Sequence, residues 1–302
     1  MYKTLYHWPM KPDLMEKMGI LLLKKGYTIK SLTRTAFDIL ARKESQILLV
    51  KILGDADSVS EEYTKEMKKI SDYISASPLI IAEKAGGKLQ DNVVYARFGI
   101  YCLNYNTFCA CADDKMPFIK RDHAGLKAQV IGDKLRQKIE EEGLSIGSLA
   151  RKLGVSRKMV QRYEKGEAEI TVNKALRLYD IFGHSVFDKI DVFNVSSLAL
   201  AHEKGKSYVA KKYGDLGFEA AETKKAPFDV IARKDKEIIL TEISDKASPQ
   251  LNPLSKLIDA DKLVIFKEKK PKEKDMPALT KKEFLEFKKA EELIKFLKEF
   301  EE

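Results

Sequence analysis

Residues 143–166 read GLSIGSLARKLGVSRKMVQRYEKG, and their spacing describes two short helices joined by a tight turn. Ser145 is placed to cap the first helix, because its hydroxyl oxygen can accept from a free N–H group of the opening turn. Ile146, Leu149, Ala150 and Leu153 follow at three- and four-residue spacing, which is one helical face. Gly154 stands where the chain turns sharply and a left-handed backbone costs least. Val155, apolar at the turn, is expected to face the core, and Ser156 is set to cap the second helix. Val160 and Tyr163 form the inner face of that helix, while Arg157, Lys158, Gln161, Arg162 and Lys165 occupy the outer one. Ala150 lies four residues before Gly154, where a larger side chain would push the helices apart. This is the layout of a helix-turn-helix, whose second helix enters a major groove.

The 302 residues are enough for two or three domains with cores of their own. Hydrophobic residues make up 44% and charged residues 33%, the balance of a folded, soluble chain. No run of eighteen apolar residues offers a membrane span, and the opening MYKTLYHWPMKPD lacks the apolar centre of a signal peptide. A cytoplasmic location is the expectation. The net charge of +9 favours a polyanionic partner, although a lysine-rich surface serving only solubility gives the same figure. Cys102, Cys109 and Cys111 are too few for a disulfide framework and are expected to be reduced thiols. Cys109 and Cys111 form a C-x-C beside Asp113 and Asp114 without a fourth ligand, so no metal and no cofactor are assigned. His7, His123, His184 and His202 are scattered and read as surface or core residues.

Before the central stretch the pattern is helix (13–25), three strand-like runs (YTIKSL, AFDILAR, QILLVKIL), helix (60–75), then LIIAEK and VVYARFGIYCL as further strands. That order describes a small α/β domain. Residues 117–130 read as a hairpin or linker with its turn near Asp122–Gly125, and residues 131–183 as helical throughout. In the last of these helices Thr171 is the expected cap, and Val172, Ala175, Leu176, Tyr179 and Phe182 the expected inner face. A weak helix over 196–214 follows. The chain then repeats itself: residues 217–244 align without a gap on residues 26–53, pairing Gly217 with Gly26, Asp229 with Asp38 and Arg233 with Arg42. Residues 262–269 take the part of LIIAEK, and 276–284 that of 99–108. The tail predicts one amphipathic helix docking through Phe284, Leu285, Leu293, Phe296 and Leu297. The reading is a central all-α unit between two related α/β domains, bounded as 1–116, 117–130 (hairpin or linker), 131–185 and 196–302.

Residues 125–185 resemble the Cro/cI-type (lambda-repressor-like) DNA-binding domain, through the helix pair, the turn Gly154, the Arg162–Gly166 ending and the final Gly183. The resemblance implies that residues 156–165 form the recognition helix. Arg157, Lys158 and Gln161 then stand nearest base edges, where Arg grips guanine and Gln grips adenine bidentately. Arg162, Lys165, Arg151, Lys152 and the capping Ser145 and Ser156 are placed to hold phosphates. One departure is Ile146, where relatives often carry a phosphate-touching Gln; either the contact is lost or Ile146 packs inward.

The repeated strands resemble the restriction-endonuclease-like core of the PD-(D/E)XK type. That family sets an Asp on one strand and an acid-x-Lys on the next, the acids holding Mg²⁺. Asp229 and Glu242 match the two acids in the second copy, with Ser244 at the lysine position. In the first copy Asp38 remains, but Lys51 and Leu53 replace the other two. Both copies therefore read as degenerate, with Asp38, Asp229 and Glu242 vestigial. The whole order resembles the HTH-type transcriptional regulators of archaea. It implies a double-stranded-DNA-binding regulator that is not an enzyme, acts as a homodimer and answers to an unidentified effector. A nuclease targeted by the helical domain and an RNA-binding or coactivator-like adaptor are the alternatives.

Overall fold

A computed structural model describes residues 11–194, 205–246, 248–268 and 276–300. Its elements begin with α1 (Lys11–Lys24), β1 (Thr28–Ser31), β2 (Ile39–Lys43), β3 (Gln46–Asp55), α2 (Glu61–Tyr73) and β4 (Ser77–Ala85). Next come β5 (Gly87–Lys88), β6 (Val93–Arg97), β7 (Ile100–Leu103), α3 (Tyr105–Cys111), β8 (Ile119–Asp122) and β9 (Gly125–Ala128). The central helices are α4 (Gly132–Glu141), α5 (Ile146–Leu153), α6 (Arg157–Glu164) and, after β10 (Ile170–Thr171), α7 (Val172–Phe182). The C-terminal part holds α8 (Tyr208–Asp215), β11 (Glu219–Glu222), β12 (Val230–Lys234), β13 (Glu237–Ile243), α9 (Leu251–Ile258) and β14 (Asp261–Phe266). It ends with β15 (Ala278–Thr280), α10 (Lys281–Glu286) and α11 (Ala290–Lys298). Most of the helix expected before residue 208 lies outside the described residues.

The chain divides into two compact units, one drawn from 1–54, 58–80 and 193–302, the other from 55–57 and 81–192. The first unit holds the aligned parts of both copies, 26–53 and 217–244, while residues 99–108, matched to 276–284, fall in the second. In each, a helix ends at a glycine with positive φ (Gly26 at 82°, Gly217 at 84°) and leads into an antiparallel pair. Thr28 pairs with Arg42 in β1–β2, and Glu219 pairs with Arg233 in β11–β12, one register at one offset. Even the tight turns agree, Glu44 at φ 53° and Asp235 at 54°. In the second copy β13, β14 and β15 run parallel, and a core of Tyr213, Phe218, Ile239, Ile265 and Phe284 fills the space under α8 and the tail helices. Phe284, Leu293 and Leu297 are buried as expected, but the tail is two helices, because Phe287 leaves helical geometry at the end of α10. Leu285, on the far side of that short helix, is exposed.

The copies exchange helices. α9 of the second packs on β1 and β2 of the first, and α2 of the first packs on β12 of the second. The ties are reciprocal. Arg42 donates to the Leu257 carbonyl at the end of α9 (3.1 Å) and pairs with Asp259 (2.5 Å). Its counterpart Arg233 donates to the Asp72 and Tyr73 carbonyls at the end of α2 (3.2 and 3.4 Å) and to the Ser75 hydroxyl (3.3 Å). Each guanidinium thereby satisfies carbonyls that a helix end leaves open, at the negative pole of the helix. Backbone bonds reinforce the seam: Ala36 N–H donates to the Lys225 carbonyl (2.7 Å), and Lys224 N–H to the Glu66 carboxylate (3.0 Å).

The second unit carries the helix-turn-helix on a sheet. β6 pairs antiparallel with β7 and parallel with β8, β8 pairs with β9, and β9 pairs with β10 through Ile170↔Ala128. The segment 117–130 is thus a hairpin built into the domain, with Ala128 and Val130 in one core with Leu135, Leu149, Leu153, Val160, Leu178 and Phe182. The Phe118 and Phe187 rings stack across this base at 4.9 Å. Within 131–183, short turns join the helices α4 to α7, and Ile170–Thr171, which β9 draws into the ladder, is strand. Thr171 holds the N-cap position of α7 without a side-chain capping bond. The inner face of α7 is Ala175, Leu178 and Phe182; Leu176 and Tyr179 are exposed at 57% and 45%. Apolar residues stand on two adjacent stripes of this helix, so periodicity alone does not choose between them.

Candidate nucleic-acid interface

The caps of the helix pair form as the sequence predicts. Ser145 Oγ accepts from Ser148 N–H (3.1 Å), and Ser156 Oγ accepts from Met159 N–H (3.2 Å). Each hydroxyl hydrogen remains able to donate outward. Gly154 sits at φ 66°, ψ 46°, and Val155 N–H closes the turn on the Ala150 carbonyl (3.0 Å). Lys174 and Arg177 of α7, which sequence reasoning passed over, donate to the Gly154 and Leu153 carbonyls (3.2 and 3.4 Å). They place positive charge at the C-terminal end of α5, where the helix dipole favours it. Val155 and Ile146 both pack against the core, so Ile146 lies inward. Gly132 allows the start of α4 to meet the end of α6: a Cβ there would fall 1.9 Å from the Glu164 carbonyl oxygen.

The outer side of α6 is open. Arg157, Lys158, Gln161 and Arg162 are exposed along it and Lys165 at its C-cap, while Val160 and Tyr163 are buried beneath. Arg162 also reaches the Glu167 carbonyl (3.3 Å). Burial pushes the Tyr163 phenol above its usual range, with Arg162 pulling the other way, so the ring stays neutral under the basic face. Arg151 and Lys152 are exposed in the last turn of α5.

At the start of α6 the charge placement runs against helix stability. Neither α5 nor α6 has an acid in its first turn, and α6 begins with Arg157 and Lys158. Cations at a helix N-terminus oppose its positive pole, each by about 0.3–1 kcal/mol. By contrast, α2 opens with Glu61 and Glu62. The first turn of α6 therefore presents cationic donors able to pair with an anion or a base acceptor edge.

The endonuclease-like positions are in the other unit. In the first copy Lys51 Nζ lies 3.3 Å from Asp38 Oδ1 and donates to the Thr35 carbonyl (3.1 Å), and Asp38 Oδ2 accepts from Ile52 N–H (2.8 Å). An ammonium occupies the place of the second acid, so these residues do not fit a divalent ion. In the second copy Asp229 Oδ2 accepts from Ile243 N–H (2.6 Å), and Glu242 Oε2 from Ser248 N–H (2.7 Å). Ser244, at the lysine position, turns its hydroxyl to the Lys246 carbonyl (2.8 Å). Among the described residues no three metal-ligating side chains converge anywhere, C-x-C included. Cys102, Cys109 and Cys111 form no disulfide. No helix among the described residues is long and apolar enough to cross a membrane.

Fold and site together define a helix-turn-helix protein with a PD-(D/E)XK-type α/β scaffold. Family profiles agree: residues 11–117 match a PD-(D/E)XK superfamily domain, and residues 135–185 match a helix-turn-helix. Over most of its length the chain is similar to archaeal proteins. A Methanocaldococcus jannaschii protein named "Putative HTH-type transcriptional regulatory protein" is 31% identical over 303 residues, covering 94% of this chain and 95% of the relative. A Pyrococcus horikoshii protein of the same designation is 31% identical over 280 residues, 87% and 89% of the two chains. One from Archaeoglobus fulgidus is 29% identical over 301 residues, 95% and 97%. The chain belongs to this family of archaeal HTH-type proteins.

Proposed function

We propose that this protein is a sequence-specific DNA-binding transcriptional regulator that presents α6 to the major groove. The observation that carries the reading is the exposed, acid-free first turn of α6, where Arg157 and Lys158 stand at the positive pole of the helix. Arg157, Lys158 and Gln161 read base edges in this account, and Arg162, Lys165, Arg151, Lys152, Ser145 and Ser156 hold phosphates. The names of the relatives support a regulatory role. The reading includes a cytoplasmic protein without catalytic activity. It also includes a homodimer, because one chain carries a single such helix and a palindromic operator needs two. Selection from randomised duplexes, followed by gel shifts at fixed salt, tests it. A preferred site is expected. Arg157→Ala and Gln161→Ala should each relax one part of that site, while Lys165→Ala should weaken all duplexes alike. A protein that enriches no sequence over competitor DNA would refute this reading.

A second reading, a nuclease targeted by the helix-turn-helix, draws on Asp229 and Glu242, the acid pair of the second copy. Incubating the protein and Asp229→Ala with duplex DNA and Mg²⁺ or Mn²⁺ separates the two. Cleavage lost in the variant would establish the nuclease; intact DNA throughout supports the regulator.

A further inference from the structure

The arm at the start of α6 rests on a glycine of the neighbouring helix. Gly147 is the second residue of α5, and Arg157 the first of α6. A Cβ built on Gly147 would lie 2.9 Å from Arg157 Nε, 3.1 Å from Nη2 and 3.2 Å from Cζ. With Nε and Nη2 nearer than the Cζ between them, the guanidinium turns its Nε–Nη2 edge toward the space that a side chain at 147 would fill. Among the described residues no hydrogen bond or ion pair ties the guanidinium, and the space above Gly147 is where it stands. Its fork of donors is left available.

Nothing in the backbone asks for glycine here. Gly147 is not among the glycines with positive φ, and in a helix glycine is a weaker former than alanine. Gly154, two turns beyond, is the opposite case, with φ 66°. The feature that does require a bare α carbon at 147 is the guanidinium above it.

We propose that Gly147 is a positioning residue: its missing side chain sets where the Arg157 fork stands and thereby which base edge that fork reads. The proposal rests on the reading of α6 as the base-contacting helix. A methyl group at 147 cannot share the space with Nε at 2.9 Å, so the arm must lift by roughly half an ångström or swing aside. Bidentate recognition needs geometry held within about 0.5 Å, so an arm displaced by that much loses the position from which both of its bonds to a base edge form. Charge, helix and fold are all left in place.

The test uses the full chain. Duplexes carrying every single-base change in the selected site are titrated with wild type, Gly147→Ala, Arg157→Ala and the double variant, and thermal unfolding is followed for each. For Gly147→Ala we expect an unfolding midpoint equal to or above wild type. Base preference should fall about 5- to 100-fold, but only at the position that Arg157→Ala also relaxes. The double variant should match Arg157→Ala. Wild-type preference retained in Gly147→Ala would overturn the proposal alone. So would an even loss across all duplexes, which is the mark of a phosphate contact, or a lowered midpoint with a flattened profile, the mark of a damaged fold. A wild type with no preferred duplex would overturn the base-reading assignment and this proposal with it.

Discussion

Replacing Lys51 by Met should destabilise the α/β unit more than any other single loss of charge near the endonuclease-like positions. Lys51 is 8% exposed and Asp38 5%, and the two are 3.3 Å apart. At that distance and an effective dielectric constant of about 20, the attraction is about 5 kcal/mol, much of it offset by the cost of burying both charges. The Met variant keeps the burial and loses the attraction, leaving the Asp38 carboxylate its bond from the Ile52 N–H but not the Lys51 ammonium. Truncating one partner of a buried pair costs about 3–5 kcal/mol. With a slope of roughly 2–3 kcal/mol per molar urea, the midpoint followed by circular dichroism should fall by about 1–2 M. The double variant Lys51→Met/Asp38→Asn should regain most of that loss, because no uncompensated charge remains. A Lys51→Met midpoint within 0.3 M of wild type, on the order of 1 kcal/mol, would refute the argument. So would a double variant less stable than the single one.

Three further outcomes follow from the same packing. Gly132→Ala forces a Cβ to within 1.9 Å of the Glu164 carbonyl, a backbone atom that cannot swing away; calorimetry should show the helix-turn-helix unit melting earlier, by at least the roughly 1–3 kcal/mol typical of overpacking. Arg42→Ala and Arg233→Ala each remove one of two matching ties between the copies and should cost similar amounts, about 1–3 kcal/mol in urea titrations, a large difference between them counting against the symmetry. Burial pushes the Cys102 and Cys111 thiols up to about 12, so a thiol reagent at pH 8 should modify Cys109 first in the folded protein and all three in urea. Because those two values are raised in the folded state, their contribution to stability is complete below about pH 9 and is lost as pH climbs toward 12.

The helix pair was legible because its signals are local: Ser145, Gly154 and Ser156 act on atoms a few residues away. The repeat was legible for another reason, that one offset carries Gly26, Asp38 and Arg42 onto Gly217, Asp229 and Arg233 together. What escaped depends on partners far along the chain. Nothing near Arg42 announces that its acceptor is Leu257. Gly132 and Gly147 look like weak points in helices until the atoms opposite them are known. Ile170 and Thr171 continue an apolar pattern, and only Ala128 and Lys127 across the ladder make them a strand. Leu176 and Tyr179 show that an apolar stripe can fit a helix and still face solvent.

The exchange of α2 and α9 has a genetic consequence. In an assembly of two identical chains, every mutation is made twice, and a substitution tolerable on one side must be tolerable on both. Here each half of the pair has its own codons. Lys51 stands in one half while Glu242 persists at the matching place in the other. Neither state has to be acceptable in duplicate, so the two halves can hold opposite charges at the matching place.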